Sequence, residues 1–156
     1  MSIERVREVF RREGIEDRIR EFETSSATVE LAAEALHCEP CRIAKSLAIS
    51  VKGEPVLVVA AGDARIDNHR FKEQFGAKGK MLSAEETLSV TGHAVGGVCP
   101  FALNDGVKVF LDVSLRRFDT VFPACGSSNS AAEFTCEELE KYSGAEGWVD
   151  VCRLPE

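Results

Sequence analysis

Two hydrophobic periodicities alternate along the chain, and each predicts an element. Val6, Val9 and Phe10 recur at helical spacing within residues 3–12, and Gly14 closes that stretch as a helix terminator would. Ser26 can cap a helix over residues 27–36, with Val29, Ala32, Ala33 and Leu36 as its buried stripe. The apolar runs 43–51 and 56–61 flank Lys52-Gly53-Glu54-Pro55 and predict an antiparallel hairpin. Asp67 caps a further helix through Phe75, and Ser83-Ala84-Glu85-Glu86 is a capping box for another through about Val90.

Asn104-Asp105-Gly106 is a turn signal, and Val107, Val109 and Leu111 alternate after it, which predicts a second hairpin. Residues 120–124 read as a short strand followed by the polar loop Gly126-Ser127-Ser128-Asn129-Ser130. Thr135-Cys136-Glu137-Glu138 is a capping box for a last helix ending near Gly144, and residues 148–151 read as a final strand. Hairpins with helices between them imply an α+β fold, not a parallel doubly wound sheet. Repeats, low-complexity tracts and linkers are absent, so residues 1–156 are expected to form one domain.

Composition narrows the class. With 156 residues, 44% hydrophobic and 29% charged, the chain can bury a sizeable core. It has no apolar run of the roughly 18 residues that a membrane helix needs. Its first residues, Met1-Ser2-Ile3-Glu4-Arg5, lack the apolar region of a signal peptide, so a cytoplasmic location without membrane contact is expected. The six cysteines then read as reduced thiols. A net charge of -7 argues against a general nucleic-acid coat. Residues 65–80 nevertheless concentrate Arg65, Arg70, Lys72, Lys78 and Lys80 against Asp67 and Glu73. Such a patch can meet a nucleic-acid end or simply solvate a helix face.

Candidate chemistry gathers at a few places. Gly92-His93-Ala94-Val95-Gly96-Gly97-Val98-Cys99-Pro100 is a loop in which Gly96 and Gly97 carry no Cβ and can take φ > 0. Their amides can therefore approach a carbonyl or phosphate oxygen, and Pro100 stiffens the exit of the loop. A tight connection between strands would use the same residues. Lys45 is a cation at the start of an apolar strand, either a fixed charge in a cleft or a side chain that snorkels outward. Cys38-Glu39-Pro40-Cys41 is a C-x-x-C, but an Ala-rich helix precedes it where a redox site would have a core strand, and zinc would need two more ligands. Inert thiols are the simpler reading, and no metal or cofactor is expected.

Lys45-Ser46-Leu47, the glycine loop, Asp112 and the stretch from Phe118 to Gly126 together resemble the YbaK/prolyl-tRNA editing domain family, in order and spacing along nearly the whole chain. That family's glycine motif is usually Gly-Tyr-x-x-Gly-Gly-(Ile/Val)-Ser-Pro, from which His93 and Cys99 depart while the Gly-Gly-x-x-Pro frame is kept. The resemblance implies a mixed, mostly antiparallel, β-barrel-like sheet surrounded by helices. It also implies hydrolysis of an amino acid wrongly attached to tRNA, commonly tRNA for proline, by a free-standing deacylase. The partners implied are the aminoacylated 3′ end of tRNA and prolyl-tRNA synthetase. A substrate ribose hydroxyl or ammonium is implied to help activate the water.

Residue by residue, the resemblance makes Lys45 the essential lysine, and Gly96 and Gly97 the catalytic loop glycines beside the ester. Phe22, Thr24, Ser46, His93, Val98, Cys99, Pro100, Gly126 and Ser127 are the candidates for substrate contact. Arg42 and the 65–80 patch are the candidates for tRNA contact. The loop from Gly126 to Ala131 departs from the Gly-Gly-Lys-Arg-Gly-Leu-Asp form of cysteine-removing members, which argues against a cysteine substrate. Two other classes remain open: a non-catalytic regulator that binds an amino acid or a tRNA end, and a thiol redox or zinc module built on Cys38 and Cys41.

Overall fold

The computed structural model of the protein describes residues 2–155. In chain order its elements are α1 (Ser2–Arg12), β1 (Arg20–Glu21), α2 (Val29–Leu36), β2 (Ile43–Val51), β3 (Glu54–Ala61), β4 (Arg65–Ile66), α3 (Asn68–Phe75), β5 (Gly79–Met81), α4 (Ala84–Thr91), β6 (Lys108–Asp112), β7 (Phe122–Pro123), β8 (Ser130–Ala131), α5 (Cys136–Ser143), β9 (Gly147–Val149) and β10 (Cys152–Arg153). Short 3-10 turns precede β1 and β2 and follow β6.

The fold is α+β around a mixed sheet in the order β5-β2-β3-β6-β9, with β7 also paired to β2. β2 and β3 form the expected antiparallel hairpin, and β3 is buried from Val56 to Ala61, as a strand covered on both faces must be. β5 and β9 lie at opposite ends of this path, so the sheet is open and not the closed barrel-like form expected. The second expected hairpin is also absent. β6 pairs parallel with β3 on one side and with β9 on the other. The residues before the 104–106 turn are an irregular loop with no arm to pair, and Asn104 spends its side chain on the Ser89 carbonyl and on Arg5. The final strand splits in two: Val151 N–H turns to Asp112 Oδ1 at 2.9 Å, and β10 pairs with β4.

Helix starts follow local chemistry. Asp67 accepts from the amides of His69 and Arg70, and Ser83 and Thr135 close full capping boxes. For α2 the cap is Thr28, which accepts from Leu31 N–H at 3.1 Å, and not Ser26. Ser26 instead donates its backbone N–H to the Ser128 carbonyl at 2.6 Å. That bond draws the start of α2 against the loop before β8.

Fully buried Val6 and Phe10 of α1 pack on the sheet, and Phe10 meets Phe101 and Phe134 edge-on at 4.9 and 5.7 Å. Phe101 directly follows Pro100, so this aromatic cluster anchors the end of the glycine loop. No helix among the described residues is long and apolar enough to cross a membrane.

Candidate active site

A cleft of about 360 Å³ opens where α2, β2, the glycine loop and the loop before β8 converge. Ser26, Ala27, Thr28, Val29 and Ala32 form one wall, and residues 45–48 of β2 form the floor. Val95, Gly96 and Val98 form the facing wall, with Ala124, Ser130 and Ala131 at the back. Met81 and Val95 line the cleft and are 55% and 64% exposed.

Lys45 lines this cleft, and its ammonium donates to the carbonyls of Gly62, at 3.3 Å, and Ala64. Those carbonyls belong to the turn that follows β3. Arg117 fixes the turn by gripping both oxygens of Asp63, at 3.1 and 2.5 Å, while its Nε donates to Ser114 O at 2.9 Å. The guanidinium's hydrogen bonds hold the Asp63 carboxyl below its usual pKa. An ammonium has three donors, so two anchored bonds leave one for a ligand oxygen. Burial also lowers the Lys45 pKa.

In the glycine loop the two glycines differ. Gly96 adopts φ +96°, which an L side chain rarely takes. Gly97 does not adopt positive φ; a Cβ there would lie 2.8 Å from Gly126 C and Ser127 N, so its lack of a side chain lets two loops touch backbone to backbone. Its N–H is used within the loop, donating to Ala94 O at 2.9 Å. The N–H groups of Gly96 and Val98 have no acceptor among the described residues, and both residues line the cleft. The unpaired donors are therefore those flanking Gly97.

Of the other residues singled out from sequence, the structure brings only Ser46 and Val98 to the cleft wall. Phe22 and Thr24 line a separate surface depression beside Leu31 and His37. Both follow β1, and Phe22 donates its backbone N–H to the Asn129 carbonyl. His93 is fully buried behind the loop; Nε2–H donates to Phe101 O at 2.7 Å, which leaves Nδ1 to accept from the Ser2 hydroxyl. Burial lowers its pKa, so it is a neutral packing residue that holds the loop to α1. Cys99 is buried beside it, and burial pushes its thiol up to about 12, far from a thiolate. Pro100 faces another depression near Asn104, and Gly126 and Ser127 form the layer behind Gly97.

Arg42 is committed to Thr120 and Glu133 and stacks over Phe122, so it is a structural cation. Cys38 and Cys41 are part-exposed, with both thiol pKa values raised, chiefly by burial.

Residues 23–142 match the family described as the aminoacyl-tRNA editing domain. The chain belongs to that family. The chain is 54% identical, over 98% of both chains, to the uncharacterized protein YwhH of Bacillus subtilis strain 168. It is 32% identical over 125 residues to proline--tRNA ligase of Halalkalibacterium halodurans, and that match takes in 80% of this chain but only 21% of the ligase. Among solved structures, one described as a candidate trans-editing enzyme for prolyl tRNA synthetase superposes with a TM-score of 0.87 at 27% identity, covering 97% of each chain.

The wall formed by residues 26–32 was missed from sequence. Ser26 read only as a cap for a helix over residues 27–36, although the run of small residues Ser25-Ser26-Ala27-Thr28 is also what a wall close to a ligand requires.

Proposed function

We propose that residues 1–156 act as one editing domain that hydrolyses, in trans, the ester of a mischarged aminoacyl-tRNA, with tRNA for proline carrying a small non-cognate amino acid as the substrate. One observation carries this reading: Lys45, whose ammonium is anchored on two carbonyls, and Gly96 and Val98, whose amides have no acceptor among the described residues, all line a single cleft of about 360 Å³. That size suits an amino acid with its terminal ribose.

Water adds to the ester carbonyl, and the carbonyl electron pair moves onto oxygen, where the Gly96 and Val98 amides stabilise the charge. Collapse of the tetrahedral intermediate expels the ribose oxygen, which takes a proton, and releases the amino acid and intact tRNA. The third donor of Lys45 holds a substrate oxygen and fixes the ester's position. Apart from Lys45, whose ammonium is held on two carbonyls, no titratable side chain among the described residues lines the cleft, and the ribose hydroxyl next to the ester orients the water in place of a protein base. Ala27, Ala32, Ala48 and Ala131 give the cleft short apolar walls, which favour a small uncharged side chain. A cytoplasmic setting, with prolyl-tRNA synthetase as the source of mischarged tRNA, fits this chemistry.

Incubating the protein with tRNA for proline charged with alanine, cysteine, serine or proline tests the reading. Release of a small non-cognate amino acid, with prolyl-tRNA left intact, is expected. Binding without turnover of any of the four would instead assign a regulator. The double variant Cys38→Ser/Cys41→Ser is expected to deacylate at close to the parental rate, because neither thiol lines the cleft. Complete loss of activity, or one zinc bound per chain, would point to the thiol pair instead.

A further inference from the structure

β2 is paired with β3 along its length, from Ala44 to Val51, but its other edge is only partly covered. β7 takes Ile43 and Ala44, β5 takes Ile49, Ser50 and Val51, and among the described residues no strand faces Lys45, Ser46 or Leu47 between them. One bond gives the direction of the backbone groups in this gap. Leu82 N–H donates to Ala48 O at 3.0 Å, so the Ala48 carbonyl points away from β3. In an antiparallel ladder the N–H and C=O of one residue point the same way, and the direction alternates along the strand. Ser46, two residues earlier, therefore points both groups into the gap, and the gap opens on the cleft. The Ser46 hydroxyl is buried and has no hydrogen-bond partner among the described residues. The hydroxyl is thus a buried polar group left unpaired, and the backbone N–H and C=O of the same residue face the gap without a strand partner among the described residues.

We propose, building on the editing reading above, that the aminoacyl group of the substrate fills this gap as a single residue of the missing strand. Its α-ammonium donates to Ser46 C=O, and its ester carbonyl accepts from Ser46 N–H. An aminoacyl ester has the same N–Cα–C=O skeleton as a residue in a strand, so its donor and acceptor match the two bonds that opposed residues exchange in a hydrogen-bonded antiparallel pair. β7 and β5 close the gap at both ends, which leaves room for one residue and excludes an extended peptide. The pairing also selects handedness. Directly opposed residues place their side chains on the same face, so an L-aminoacyl group lays its side chain beside that of Ser46, whereas a D-aminoacyl group sends it to the other face. Ser46 N–H then joins the Gly96 and Val98 amides as a donor to the ester oxygen.

Binding separates this contact from any part the ammonium plays in activating water. The probes are adenosines carrying L-alanyl, D-alanyl or propionyl groups through a 3′-amide, which keeps the carbonyl and is not hydrolysed. Titration calorimetry on the parental protein is expected to show the L-alanyl compound binding about ten- to a hundredfold more tightly than the propionyl one, the value of a charge-assisted hydrogen bond. The D-alanyl compound is expected to bind as weakly as the propionyl one. Equal affinities for all three would overturn the proposal.

Ser46→Pro removes the N–H without touching the β3 ladder, since that group faces the open edge. Hydrolysis by this variant at the parental rate would also overturn the proposal, and if the variant does not fold the calorimetry decides. Failure of the editing reading looks different: no aminoacyl-tRNA is hydrolysed, whatever the analogues do.

Discussion

Lys45→Ala is expected to lower ester hydrolysis by a factor on the order of 10²–10³ while the protein stays folded. That is the usual cost of losing one preorganised polar contact in a site. The fold should survive because the turn that Lys45 touches has an independent hold, the double hydrogen bond from Arg117 to Asp63. Lys45→Arg is expected to be nearly as poor. A planar fork cannot direct donors to Gly62 O, Ala64 O and a substrate oxygen at once, as a tetrahedral ammonium does. Single-turnover hydrolysis and circular dichroism on the same samples check this, and near-parental turnover by the alanine variant would remove Lys45 from the reaction.

The second large effect is expected at a residue with no side chain. In Gly97→Val the new Cβ meets Gly126 C, Ser127 N and Ser127 Cα at 2.8 to 2.9 Å, all backbone atoms that no rotamer change can move aside. The loop must lift away from the 126–127 layer, carrying the Gly96 and Val98 amides with it. A shift of about 1 Å in such groups is enough to cost on the order of 10² in rate. Melting temperature should fall as well, so the decisive quantity is turnover per folded molecule. A destabilised variant that remains fully active would reduce the glycine pair to a connection between strands.

Where a local signal met no competing partner, the sequence was enough. The capping boxes at Ser83 and Thr135, the Asp67 cap and the β2–β3 hairpin form as their residues require. What was not legible depended on partners far along the chain. Asn104-Asp105-Gly106 carries a hairpin signal, yet β6 takes the parallel edge of β3, which no local pattern encodes. His93 and Cys99 sit within the most distinctive loop, but only burial shows that they face α1 and the aromatic core instead of the cleft. Ser26 looked like a cap because its chemistry suits one; the loop before β8 claims it first. The β2 segment Lys45-Ser46-Leu47 was visible as a motif, whereas its open edge depends on where β5 and β7 stop.

The cleft's walls come from four stretches widely separated along the chain: 26–32, 43–48, 81–98 and 122–131. Such a site has no local precursor. β2 and β3 can zip early because a short turn joins them, but docking β7 onto β2 closes a loop that takes in most of the intervening chain. Competence to hold a ligand should therefore emerge among the last events of folding, after most of the hydrophobic surface has been buried. A nascent or partly refolded chain would show native-like helix and hairpin content while remaining unable to bind.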